Sequence, residues 1–256
     1  MTFIFDFDGT LTDPFPHADA MREAMINILV SRGIPERRVM RDIEVLTDGI
    51  LGQPEEHPWV VGGIPACFGN EDPFVVNNVT AQELFETNEI YRGLFESPGQ
   101  LSAEAYRGAT RDMPPHFRDD TPSVLKEIIR DGNRVCVVTN AGTDKVRRML
   151  GEIGVSIPIY GDAEKFMVDM EWDKVPRTLE IGDRCIFLRR AKYFNILREM
   201  GSEKMVIGDV FSMDLSLPHA IGIPIVLVKT PYTPSWAERF VEKNGRVVKS
   251  LLEVLD

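Results

Sequence analysis

Positive charge is in short supply in this sequence. Its 256 residues carry 29 Lys and Arg against 40 Asp and Glu, a formal net charge of −11. That balance excludes non-specific nucleic-acid binding, which needs a basic face. It also repels an anionic ligand at long range, so any attraction must come from a few local cations or a bound metal. Cysteine is scarce as well. Cys67, Cys136 and Cys185 show no paired spacing, which argues against a disulfide framework and against a zinc site. Cys136 falls inside the apolar run Val135–Val138 and reads as a small buried side chain. His17, His57, His116 and His219 are scattered without ligand spacing and read as surface or packing residues. Long hydrophobic runs are missing too. None approaches the ~20 residues of a membrane span, and the longest, such as Ile221–Val228, are strand-sized. There is no basic n-region, and Phe3–Phe7 is too short for a signal-peptide h-region, so the expected location is cytoplasmic, without a membrane partner.

What is present is an alternation of strands and helices. Strand candidates are Phe3–Phe7, Arg134–Val138, Ile157–Tyr160, Lys204–Ile207 and Ile223–Val228. Their apolar runs are continuous, the pattern of strands buried on both faces. Helices are expected from Thr121-Pro122 to Gly132, over Asp144–Ile153, over Lys192–Met200 and over Ser235–Lys243. The pattern implies an α/β fold, a doubly wound parallel sheet. Between Asp13 and about Arg118 the period turns helical, over Met21–Val30, Glu36–Leu46, Ala81–Phe95 and Ser102–Arg111. Asp48–Asn78 is rich in Gly and Pro, and Trp59–Val61 with Ile64–Phe68 can form a hairpin that Pro65 weakens. The block from 14 to 118 reads as a mainly helical insert between core segments 1–13 and 119–256. A second excursion, about 162–190, holds another hairpin, with Gly182-Asp183 as its turn.

The chemistry concentrates at the start of the chain, in Asp6-Phe7-Asp8-Gly9-Thr10-Leu11-Thr12-Asp13. Asp6 and Asp8, at i and i+2 of an extended segment, share a face, with Cα atoms about 6–7 Å apart. Carboxylates that close repel unless a cation or proton lies between them. The arrangement suits a hard divalent metal, with one carboxylate free to attack phosphorus. Further along, Val137-Val138-Thr139-Asn140 ends a strand with a hydroxyl and amides able to bind a phosphoryl oxygen at a helix N-terminus. Val206-Ile207-Gly208-Asp209 ends another, with Asp214 close behind. Asp6, Thr139 and Asp209 therefore fall at carboxyl strand ends, where ligands bind in such sheets.

These motifs, in this order, resemble those of the haloacid dehalogenase-like hydrolase superfamily, and the helical insert sits where that family carries a C1-type cap. The resemblance implies a Mg²⁺-dependent phosphatase acting on a small phosphorylated metabolite. In it Asp6 would be the nucleophile and Asp8 the general acid and base. Gly9, Thr10, Thr139 and Asn140 would bind phosphate, and Asp6, Asp8, Asp209 and Asp214 would serve the metal. The lysine that neutralises the phosphoryl charge is assigned to Lys192, at the start of the helix before the Asp209 strand, with Arg189 and Arg190 as neighbours that contact substrate. Ile181-Gly182-Asp183 imitates the Asp209 motif, but no acid follows it closely, so Asp183 is read as a turn residue. The family's dehalogenases lack an acid at the position of Asp8, which favours phosphoryl chemistry. A phosphomutase on the same residues, distinguished by whether free phosphate accumulates, and a non-catalytic binding protein are the alternatives.

Overall fold

The computed structural model describes residues 1–110 and 113–255, and among them the chain divides into two compact units. One comprises Met1–Asp13, Val61–Cys67 and Pro115–Asp256, the other Pro14–Val60 and Phe68–Pro114. The strands, in chain order, are β1 Thr2–Phe5, β2 Trp59–Val61, β3 Ile64–Cys67, β4 Arg134–Val138, β5 Ile159–Tyr160, β6 Thr178–Ile181, β7 Arg184–Phe187, β8 Lys204–Gly208, β9 Ile225–Val228 and β10 Arg246–Val248. No described helix is long and apolar enough to cross a membrane.

The first unit is built on a six-stranded sheet of order β10-β9-β8-β1-β4-β5, parallel throughout. It is the doubly wound sheet that the alternating apolar runs imply. β1 lies at its centre because both faces are apolar. Phe3, Phe5 and Phe7 point to one face with Val135, Val137 and Ile207, against Val124, Leu125 and Ile128 of helix Thr121–Arg130 and Val146, Met149 and Leu150 of helix Thr143–Glu152. Ile4 is fully buried on the other face. β10 at the edge was not expected; three residues with an exposed Arg246 give little periodicity.

Register fixes what matters next. Phe5 is level with Val137 and Ile207, so the residues that follow them leave the sheet at one edge. The Asp6 amide still donates to Ile207 O at 2.9 Å. The chain leaves and returns through a zipped pair of segments: Thr12 bridges Phe117, and the Arg118 amide donates to Leu11 O at 3.1 Å.

The second unit is helical: Phe15–Ser31, Glu36–Gly52, Pro73–Thr87, Glu89–Arg92 and Pro98–Thr110. Met21, Met25 and Leu29, four residues apart, pack with Val39, Ile43, Ala81, Leu84, Leu101 and Ala105. Tyr91 is buried among them and donates to Asp42 Oδ2 at 2.8 Å. Helix Pro73–Thr87 starts earlier than the apolar period suggests. Asp72 caps it, accepting from the Phe74 and Val75 amides, and Pro73 opens it. The expected helix end at Arg111 lies outside the described residues. β2 and β3 form the hairpin around Gly62-Gly63, with Pro65 tolerated in a two-stranded ribbon.

Candidate active site

Asp6 follows β1, Thr139 follows β4 and Asp209 follows β8. Asp214 lies in a single π-helical turn, Phe211–Leu215. Such widened turns re-aim side chains. Here the Asp214 amide donates to Val210 O at 2.8 Å, while Asp214 Oδ2 accepts from the Val210 amide at 3.0 Å. The turn folds the carboxylate back toward the strand end. Gly208 makes room for it: a Cβ there would lie 2.5 Å from Asp214 Cβ. Gly9 does the same for Asp209. Its φ is +86°, in the left-handed region, and a Cβ would come within 2.1 Å of Asp209 Oδ2. Thr10, fully buried, donates from Oγ1 to Asp209 Oδ1 at 2.7 Å.

The cation at this cluster is Lys165, not Lys192. Lys165 is 1% exposed, and its Nζ donates to Asp6 Oδ1 at 2.5 Å and Asp214 Oδ1 at 2.6 Å. Lys192 points outward with 45% of its side chain exposed and pairs with Glu164 at 2.8 Å. The assignment of Lys192 is corrected accordingly: its side chain lies on the outer side of the first helical turn, while Tyr193 beside it is the residue buried toward Asp214. Lys165 reaches the cluster from an irregular loop after β5. Asp162 and Glu164 take φ of 50° and 51°, left-handed values that cost non-glycine residues about 1–3 kcal/mol each. The loop is held by its neighbours. The Asp162 amide donates to Ala141 O, the Ala163 amide to Thr139 O and the Lys165 amide to Asn140 Oδ1 at 2.7 Å. Thr143 opens its helix, and its hydroxyl accepts from the Gly161 amide at 3.2 Å.

Three other residues are placed differently from the expectation. Arg190 does not face a ligand. It is 0% exposed and donates to the carbonyl oxygens of Lys165, Ala66 and Ser212. Arg189 is half-buried and donates to Met170 O at 2.5 Å, in the neck of the excursion. Asp8, expected among the metal ligands, lies outside the trio that can share a cation. Its half-buried carboxylate has Oδ1 out of solvent with no hydrogen-bond partner among the described residues. Thr139 is buried, and its Oγ1 accepts from the Ala141 amide at 3.1 Å. Asp183 sits exposed in the β6–β7 turn, paired with Arg184. The signal that could have found Lys165 was topological: Gly161-Asp162-Ala163-Glu164-Lys165 directly follows the strand next to β4.

Asp6, Asp209 and Asp214 each offer an oxygen, all within 4.8 Å of one another. Burial pushes the Asp6 carboxyl up to about 8, and Asp214 and Asp8 add to it against the pull of Lys165. Burial opposes charge on Lys165 too, but Asp214 and Asp6 hold its ammonium above the ordinary lysine value. One ammonium among these acids leaves an excess of negative charge. A set of hard oxygen donors with that excess fits a small divalent cation such as Mg²⁺.

No family model matches the chain, and no curated protein matches it. Solved structures do. A predicted phosphoglycolate phosphatase from Haemophilus somnus is 16% identical with a TM-score of 0.56, over 99% of this chain and 96% of that one. A predicted phosphatase from Clostridium acetobutylicum is 15% identical, TM-score 0.55, over 99% and 95%. The HAD-hydrolase YfnB from Bacillus subtilis, described bound to magnesium, is 15% identical, TM-score 0.52, over 99% and 96%. The chain thus has the fold of the haloacid dehalogenase-like hydrolases. Within that fold it carries an acidic strand-end cluster with one buried lysine.

Proposed function

We propose that the protein is a Mg²⁺-dependent phosphatase that hydrolyses a small phosphorylated metabolite through a phosphorylated Asp6. The observation that carries this reading is the Lys165 ammonium held between Asp6 and Asp214, beside Asp209, at the carboxyl edge of the sheet. A nucleophilic carboxylate needs positive charge close by to meet a dianionic ester. Lys165 supplies part of it. Asp6, Asp209 and Asp214 would hold the metal, which when bound would neutralise phosphoryl charge.

Asp6 attacks phosphorus in line and the ester oxygen leaves. Asp8, whose Oδ1 has no other hydrogen-bond partner among the described residues, gives that oxygen its proton. It then takes a proton from the water that hydrolyses the aspartyl-phosphate. Thr139 and the amides beyond it bind a phosphoryl oxygen. Thr10 keeps Asp209 aimed by its 2.7 Å bond. We assign substrate selection to the helical unit, Pro14–Val60 and Phe68–Pro114, and a cytoplasmic location to the protein.

The test is phosphate release from a panel of sugar phosphates, nucleotides and other phosphomonoesters, with and without chelator. Release that needs added Mg²⁺ and vanishes in Asp6→Asn supports the reading. Undiminished release in excess chelator, or from Asp6→Asn, refutes it.

A further inference from the structure

We propose that Arg190 is a positioning residue, one that fixes the Lys165 ammonium between Asp6 and Asp214 through bonds to the backbone on either side of it. Arg190 Nη1 donates to Lys165 O, the carbonyl of the residue whose ammonium enters the cluster. Nη2 donates to Ser212 O at 2.9 Å, in the π-helical turn that carries Asp214, and to Ala66 O at 2.7 Å, in β3. One planar group thus ties the segment bearing the cation to the segment bearing its second carboxylate.

The Lys165 loop needs such a tie. It contains two non-glycine residues in left-handed conformations, and directly after it the chain departs on the excursion 166–189 before rejoining at helix Ala191–Glu199. The neck of the excursion is closed by the Asp169 amide donating to Arg189 O at 2.8 Å and by Arg189 donating to Met170 O. Arg190 stands at the return side of that neck. A lysine could not do the same. Its donors radiate from one nitrogen, whereas the three carbonyls accept from two separate nitrogens of a fixed, planar fork. Taking a guanidinium out of water is costly, and the bonds to Lys165, Ala66 and Ser212 offset that cost at Nη1 and Nη2, which ties the burial of Arg190 to these three carbonyls. Arg190 touches no reacting atom; it acts through Lys165 and Asp214.

The kinetic part of the test rests on the phosphatase reading; the binding part does not. Variants Arg190→Gln, Arg190→Lys, Lys165→Met and the double variant Arg190→Gln/Lys165→Met would be compared in the full chain. The readouts are kcat and KM for p-nitrophenyl phosphate, and the Mg²⁺ dissociation constant by calorimetry. Arg190→Gln should lower kcat about 10–100-fold, the usual effect of losing a residue that orients the site, with little change in KM. It should shift Mg²⁺ affinity in the same direction as Lys165→Met. In the Lys165→Met background it should change both quantities clearly less than in the wild type, since only the part of its effect that passes through the Asp214 turn remains. Arg190→Lys should fall between wild type and Arg190→Gln, and it carries the same cycle if Arg190→Gln does not fold. Wild-type kcat and Mg²⁺ affinity in the Arg190 variants, or losses that multiply in the double variant, would overturn the proposal. If the wild type releases phosphate from no ester, the phosphatase reading falls alone and the Mg²⁺ cycle still decides on Arg190.

Discussion

Lys165 and Asp214 stand 49 residues apart in sequence and meet at 2.6 Å. Both are buried, and Asp6 accepts from the same ammonium. Replacing a preorganised cation beside developing negative charge typically costs on the order of 10²–10³ in rate. Lys165→Met should therefore lose about that much turnover, while Lys192→Ala, which only breaks an exposed pair with Glu164, should turn over normally. Steady-state kinetics on both variants would check this. Equal losses would return Lys192 to the site.

A second expectation concerns pH in the metal-free protein. The Asp6 carboxyl is pushed up from 3.8 to about 8, chiefly by burial. An unfolded chain gives up that proton near pH 4, whereas the folded chain keeps it to about pH 8. Between these values the folded state binds more protons, so stability falls as pH rises. The fall ends once Asp6 is ionised in both states. Without metal, the melting midpoint of the wild type should drop between pH 5 and 8 more than that of Asp6→Asn. Added Mg²⁺ competes with the proton, so its stabilisation should grow across the same interval. A Mg²⁺-induced shift in melting midpoint that is larger at pH 5 than at pH 8 would contradict this.

Two glycines separate backbone strain from collision. Gly9 and Gly132 both have left-handed φ, +86° and +79°. Nothing lies within 4 Å of a Cβ built on Gly132, whereas one on Gly9 would strike Asp209. Gly132→Ala should cost about 1–2 kcal/mol of stability and leave kcat intact. Gly9→Ala should displace Asp209 and lose both turnover and Mg²⁺ binding. Thermal melts with calorimetry would separate the two; a fully active Gly9→Ala would disprove the packing argument.

The Thr10 hydroxyl offers a finer probe. Thr10→Val keeps the shape and removes only the donor to Asp209 Oδ1. Loss of an orienting bond of this kind typically costs 10–100-fold in metal affinity or activity, so Mg²⁺ titration should show weakening of about that size. Unchanged affinity would mean that Asp209 is held by its other neighbours.

Asp6, Thr139 and Asp209 were legible as a group because each follows directly on an apolar run that reads as a buried strand, and Asp8 and Asp214 stand close behind two of them. Lys165 was not. Its position depends on left-handed residues in a loop, and no periodicity encodes that. Lys192 drew attention because it begins a clear helix, yet sequence does not say which way a first-turn side chain points. Arg190 read as a ligand contact because it follows the expected strand Arg184–Leu188 beside Lys192; its carbonyl partners, Ala66, Lys165 and Ser212, come from distant parts of the chain. The π-helical turn at 211–215 has no local signature either. β10 is three residues long, too short to register against propensity alone. In the helical unit, Asp72-Pro73 was a readable start, masked by the Gly and Pro content around it.

The place of β1 at the centre of the sheet sets the order in which the chain can fold. Thr2–Phe5 pairs on one side with a strand beginning at Arg134 and on the other with one beginning at Lys204. During synthesis this apolar strand precedes both neighbours by more than a hundred residues. Contacts that remote in sequence close slowly. Phe3, Ile4 and Phe5 must stay unpaired on the ribosome until most of the chain has followed, which makes this segment a natural target for chaperones that shield nascent hydrophobic strands.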